Sequence, residues 1–138
     1  MIIDYSSLIK MAFEARENSH CKYSGFAVGA ALLCANGEVF TGCNIECGAF
    51  SATACAERVA VFKAISEGET DFVAIAIVGG GVDQSELEYC PPCGICRQVL
   101  AEHCCDADFE IILAKSSEEF IIYKIEDLLP NAFTDAMM

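Results

Sequence analysis

Three thiols, Cys55, Cys93 and Cys96, constrain the fold of this chain more than any other feature. Cys93 and Cys96 stand three apart at the start of one helical stretch, a spacing that turns two sulfurs toward one ion. Cys55 opens another helical stretch far upstream, with Glu57 and Arg58 close behind it. Zinc takes thiolates in tetrahedral geometry, and a catalytic site uses three protein ligands and leaves one position for water. A helix N-terminus carries positive partial charge and unpaired N–H groups, which favour the thiolate that zinc needs. The fold must therefore bring two helix starts to one point. A Cys-x-x-Cys pair is common by itself; joined to Cys55-Ala56-Glu57 and Pro92, it specifies a catalytic zinc centre. Glu57 can reach the open position without being a ligand. It is the candidate proton shuttle, the alternative being a first-turn glutamate that serves the helix dipole. Arg58 shares a helix face with Cys55. It can donate to sulfur and offset the surplus negative charge of three thiolates, the alternative being an ordinary surface arginine.

The rest of the chain supplies a scaffold for that convergence. Asp4 to Asn18 reads as a helix, with Leu8, Ala12 and Ala15 in one stripe and Ile9 and Phe13 beside it. Asp4 suits its start and Asn18 its end. After a polar loop, His20 to Gly25, the apolar run Phe26 to Cys34 reads as a buried strand. Asn36-Gly37 signals a hairpin into a second strand, Val39 to Cys43. Asn44 to Thr53 is a loop. A second helix spans about Ala54 to Glu67, with Val59, Phe62 and Ile65 on its inner face and Gly68 past its end. Phe72 to Val78 is a buried strand, followed by a flexible connection from Gly79-Gly80-Gly81 to Cys90. A third helix spans about Cys93 to His103, then come strands Phe109 to Ala114 and Phe120 to Lys124 and a last helical turn at Ile125 to Leu129. The order implies an α/β fold, a single domain over residues 1–138, in three α/β/α layers around a five-stranded mixed sheet. Only a short turn, Lys115 to Glu118, separates the last two strands. A parallel crossover needs about a dozen residues or more, so these two should be antiparallel.

The formal net charge of −13 repels phosphate backbones and argues against a nucleic-acid partner. No apolar run approaches the about 20 residues of a membrane span. The opening Met1-Ile2-Ile3-Asp4-Tyr5 has no basic segment of the kind that begins a signal peptide. Ten cysteines then point to a reducing compartment, the cytoplasm. Cys21, Cys34, Cys43, Cys47, Cys90, Cys104 and Cys105 read as small buried hydrophobes. His20 and His103 lack ligand spacing and read as surface or loop residues. A hydrophobic content of 54% is high for a small soluble monomer, so part of the apolar surface should meet other subunits.

With these residues placed, the chain resembles the cytidine deaminases of the small, three-cysteine, homotetrameric class. The likeness runs through Tyr23-Ser24-Gly25-Phe26-Ala27-Val28-Gly29-Ala30-Ala31-Leu32, Thr41-Gly42-Cys43-Asn44-Ile45-Glu46 and Cys55-Ala56-Glu57-Arg58. It continues through Pro92-Cys93-Gly94-Ile95-Cys96-Arg97-Gln98-Val99-Leu100 and Leu128-Leu129-Pro130-Asn131-Ala132-Phe133. The resemblance implies zinc-dependent hydrolytic deamination of cytidine and deoxycytidine, with release of ammonia. It implies that Asn44 and Glu46 hold the ribose hydroxyl, that Phe26 flanks the base, and that the Ala56 N–H meets the base carbonyl. It further implies that Phe133 stacks on the base from another subunit of a homotetramer with shared sites. Without the resemblance, Asn44 and Glu46 read as a polar turn and the two phenylalanines as core aromatics. The chain departs from the family pattern at Cys47, Gly48, Ala49 and Phe50, and at Pro91, where a serine is usual.

Three other functions compete. Deamination of a cytosine-nucleoside antibiotic would suit the altered Cys47–Phe50 loop. A thiol–disulfide oxidoreductase would use Cys93 and Cys96 and leave Cys55 and Glu57 idle. A non-catalytic zinc module would need a fourth protein ligand that the sequence does not offer.

Overall fold

A computed structural model describes residues 1–138. The sheet has five strands: β1 (Phe26–Cys34), β2 (Val39–Cys43), β3 (Phe72–Gly81), β4 (Glu110–Ala114) and β5 (Phe120–Tyr123). They lie in the order β2-β1-β3-β4-β5. β1 is antiparallel to both β2 and β3, β3 is parallel to β4, and β4 is antiparallel to β5. The short link between the last two strands gives the antiparallel pair that its length demands. Helix α1 (Tyr5–Arg16) covers one face, while α2 (Ala56–Ser66) and α3 (Gly94–His103) cover the other, and the short α4 (Ile125–Leu128) packs beside α3.

Strand alternation divides the core between the faces. Ala31, Ala74, Ala76, Val78 and Ile112 face α1 with Leu8, Ile9 and Ala12. Their chain neighbours Ala30, Ile75, Ile77, Ile111 and Leu113 face α2 and α3 with Ala60, Val61, Ala64 and Leu100. Strands buried on both sides have no polar face to show, so they read as continuous apolar runs.

Several element edges differ from the sequence expectation. Asp4 caps α1 by accepting from the Ser7 N–H, but the helix ends at Arg16 with Glu17 as its cap, short of Asn18. Four residues, Ala35 to Glu38, connect β1 to β2: the Gly37 N–H donates to the Cys34 carbonyl, the Cys34 N–H donates to the Glu38 carbonyl, and only Gly37 takes positive φ, +93°. β3 runs to Gly81, so the three glycines are strand and not a flexible link. Their smallness has a use there: a Cβ on Gly79 would stand 2.8 Å from the Cys90 sulfur. Lys124 leaves β5 to cap α4.

The inner face of α2 is a clearer correction. Its buried residues are Ala56, Glu57, Ala60, Val61 and Ala64, while Phe62 is 48% exposed and Val59 and Ile65 are half-buried. The cause lies in β2, where a Cβ on Gly42 would stand 2.4 Å from the Ala56 carbonyl oxygen. The first turns of α2 sit backbone-close on the sheet, and that gap admits alanine but no larger side chain. Among the cysteines, Cys21, Cys34 and Cys104 are buried as expected; Cys43, Cys47 and Cys90 are half-buried, and Cys105 is exposed in the turn after α3.

The topology gathers the sequence motifs at one end of the sheet. The start of β1 pairs with the end of β3, Phe26 opposite Gly81, and the end of β2 lies beside it, Gly29 opposite Cys43. The loop after β2, the start of α2 and the start of α3 therefore open on the same edge.

Candidate active site

Cys55 and Cys93 are the N-caps of α2 and α3, each one residue ahead of the expected first turn, and Cys96 lies inside the first turn of α3. All three sulfurs lie within 4.8 Å of one another. The Cys55 and Cys93 sulfurs are 3.6 Å apart. Tetrahedral zinc with Zn–S near 2.3 Å separates its sulfurs by about 3.8 Å, so this cluster fits the ion. The Cys96 N–H also points at the Cys93 sulfur, 3.5 Å away. Arg58 donates to the Cys55 sulfur at 3.3 Å and toward the Thr53 carbonyl at 3.4 Å, which ties its charge to the cluster.

The electrostatics favour the thiolate at Cys55. Cys55 is pushed down to about 5, first by hydrogen bonding with Cys96 and then, against burial, by Arg58 and Cys93. Cys96 is held up, first by that same bond and then by burial. Burial pushes the Glu57 carboxyl up to about 7. Glu57 is 4% exposed, and its Oε1 has no hydrogen-bond partner. A buried, unpaired carboxylate oxygen is costly, and such a group persists where a reactant or ion completes it.

Cys55, Cys93 and Glu57 share one cavity of about 320 Å³, lined also by Phe26, Val28, Asn44, Glu46, Cys90 and Pro91. Ala56 is fully buried at the start of α2, and as the first helical residue its N–H has no intrahelical partner. Phe26 is 42% exposed at the cavity mouth and is not a core aromatic. Phe133 does not line the cavity of its own chain; it is 62% exposed on the C-terminal segment.

Asn44 and Glu46 each do structural work the sequence does not reveal. The Asn44 amide donates to the Phe26 carbonyl at 2.8 Å and accepts from the Val28 N–H at 2.9 Å and from the Ser19 hydroxyl. One N–H of that amide remains for a ligand. Glu46 accepts from the N–H groups of Tyr23 and Ser24, both at 3.1 Å, and from the Ser24 hydroxyl at 2.5 Å. The Ser24 hydroxyl holds the Glu46 carboxyl below its usual range. The backbone of His20 fastens this loop, donating to the Asn44 carbonyl and accepting from the Glu46 N–H, both at 2.9 Å. His103 ends α3 beside Glu102, away from the cavity. Ser19 and Cys90 carry no motif spacing and lie outside the stretches that carry the resemblance, so nothing in the sequence marks them as neighbours of the site.

A family model described as the cytidine and deoxycytidylate deaminase zinc-binding region matches residues 3–109. A cytidine deaminase from Halalkalibacterium halodurans is 46% identical over 132 residues, covering 96% of each chain. The crystal structure of cytidine deaminase from Burkholderia pseudomallei matches with a TM-score of 0.81 at 39% identity, over 92% of this chain and 97% of that one. A blasticidin-S deaminase from Bacillus cereus is similar over a shorter stretch, 32% identical over 111 residues, 78% of this chain and 76% of its own. Because the family match spans all three thiols of the cluster and the likeness to a relative covers 96% of both chains, this protein belongs to the zinc-binding cytidine and deoxycytidylate deaminase family.

Proposed function

We propose that this enzyme hydrolyses cytidine and deoxycytidine to uridine and deoxyuridine with release of ammonia, in one deaminase domain formed by residues 1–138. One observation carries the reading: Glu57, with its unpaired Oε1, lines the same cavity as Cys55, Cys93 and the Asn44–Glu46 loop. Cys55, Cys93 and Cys96 hold the zinc ion. When bound, zinc supplies a Lewis acid that makes water a nucleophile at neutral pH. Glu57 takes one proton of the attacking water and passes it to the ring nitrogen, then takes the second proton from the oxygen now bonded to the ring carbon and hands it to the amine as the C–N bond breaks. Arg58 moderates the charge of the ligating sulfurs. The Ala56 N–H meets the base carbonyl, Phe26 lies along the base, and Asn44 and Glu46 bracket a ribose hydroxyl. Purified zinc-replete protein should abolish the cytidine absorbance band; unchanged absorbance would refute the activity.

The nucleoside leads over a cytosine-nucleoside antibiotic because likeness to a cytidine deaminase is both higher and longer. With Cys55 joined to Cys93 and Cys96 in one cluster, those two are not an isolated redox pair. Selectivity follows from charge. An ionised Glu46 at the ribose and a net charge of −13 both disfavour phosphate. Cytidine should turn over while cytidine monophosphate does not, and equal specific activities would contradict the ribose assignment.

Our reading of the assembly is a homotetramer with shared sites. Phe50, Phe62 and Phe133 are all largely exposed on one chain. Burying a phenylalanine is worth about 1.5–3 kcal/mol, enough to seat a tail on a neighbour. Phe133→Ala should raise KM without removing zinc, because base stacking is worth about 1–3 kcal/mol. Mixing inactive Glu57→Gln chains with Phe133→Ala chains should restore activity at low substrate through hybrid sites. An active monomer in light scattering would sink the shared site. No helix is long and apolar enough to cross a membrane. The ten free thiols suit a reducing compartment, and the cytoplasm is the location we propose.

A further inference from the structure

Two side chains beside the ligand Cys96 reach away from the cavity toward the C-terminal segment. The Arg97 guanidinium is a fork. Its Nε donates to the Pro92 carbonyl at 2.8 Å, and its Nη1 donates to the Leu128 carbonyl at 2.7 Å. Pro92 immediately precedes the ligand Cys93, and Leu128 is the last residue of α4, whose carbonyl has no helical donor. One turn of chain later, the Gln98 amide donates to the Phe133 carbonyl at 2.5 Å. Between the two attachment points the chain turns sharply: Pro130 cannot continue a helix, and Asn131 takes positive φ, +52°. The segment from Leu128 to Phe133 is thus held at both ends by consecutive residues of α3.

We propose that Arg97 and Gln98 are positioning residues: a two-point clasp that fastens the Phe133 segment to the loop bearing the metal ligands and thereby sets substrate affinity. The inference rests on the stacking role proposed for Phe133 and adds what aims that residue. The physical logic is preorganisation. A tail otherwise free to move must be ordered each time it closes on a base, and two fixed carbonyls remove that cost before substrate arrives. A planar fork can meet two carbonyls on different segments at once, which a lysine ammonium on a flexible stem does poorly. One arginine therefore touches both the metal loop of its own site and the segment that serves a neighbouring site.

Gln98 is exposed, so Gln98→Ala removes a hydrogen bond and no core packing. That variant should keep its zinc and its kcat while KM for cytidine rises by about three- to tenfold, the size of one lost hydrogen bond. Hydrogen exchange of residues 129–138 should quicken in Gln98→Ala and in Arg97→Lys. In a Phe133→Ala background, Gln98→Ala should add nothing, because it acts through the residue already removed. An unchanged KM in Gln98→Ala, with Phe133→Ala raising KM, would overturn the clasp and leave the stacking role standing. Full multiplication of the two effects in the double variant would also overturn it. If Phe133→Ala leaves KM unchanged, the stacking role falls and so does the claim on substrate affinity; unaltered tail exchange in both clasp variants would then remove the clasp as well.

Discussion

Glu57→Gln is expected to lower kcat by about 10,000-fold while the protein stays folded and keeps its zinc, since general acid–base groups contribute up to that factor. Glutamine preserves the size and polarity of a side chain that is 4% exposed, so the packing around it survives. What it loses is the capacity to accept a proton and hand it on. The carboxylate serves at least two transfers in the proposed reaction, to the ring and to the leaving amine, so its loss should sit at the upper end of the range. The measurement is steady-state turnover of cytidine, with zinc content and circular dichroism on the same sample. Turnover within tenfold of the parent would take Glu57 out of the mechanism.

Cys55→Ala should strip the metal and activity together. Cys55 is the one ligand contributed by α2, and it is the thiol pushed furthest toward thiolate, through Cys96, Arg58 and Cys93. Without it only Cys93 and Cys96 remain, both from the start of α3, and two sulfurs do not close a tetrahedral site. The affinity loss should exceed the about 10- to 100-fold typical of removing an outer partner of a ligand. Arg58, which donates to that same sulfur, offers the comparison: Arg58→Gln should weaken zinc retention without abolishing it. Elemental analysis after dialysis decides, and full zinc retention in Cys55→Ala would reject the ligand set.

The elements and the centre of this site were legible in the chain because both are encoded at short range. Helical stripes such as Leu8, Ala12 and Ala15 need only neighbours three and four apart, and the five apolar runs needed only their own composition. The pair Cys93 and Cys96 and the trio Cys55, Glu57 and Arg58 likewise carry their chemistry in fixed local spacing. The five residues separating β4 from β5 by themselves excluded a crossover.

Local patterning along the chain settles the element order, the antiparallel end of the sheet, and which residue types meet at two helix starts. Tertiary structure alone decided how those elements touch. Phe62 points outward and Ala60 inward because Gly42, on a different strand, lets the backbone of α2 descend onto the sheet. The glycine triplet is strand because it pairs with β1, Gly79 opposite Val28 and Gly81 opposite Phe26, while Cys90 returns close across Gly79. Asn44 spends most of its amide on Phe26, Val28 and Ser19, and Arg97 joins Pro92 to Leu128. Each of these depends on a contact between residues remote in the chain, and hydrophobic periodicity and motif spacing carry no information about distances that only folding sets.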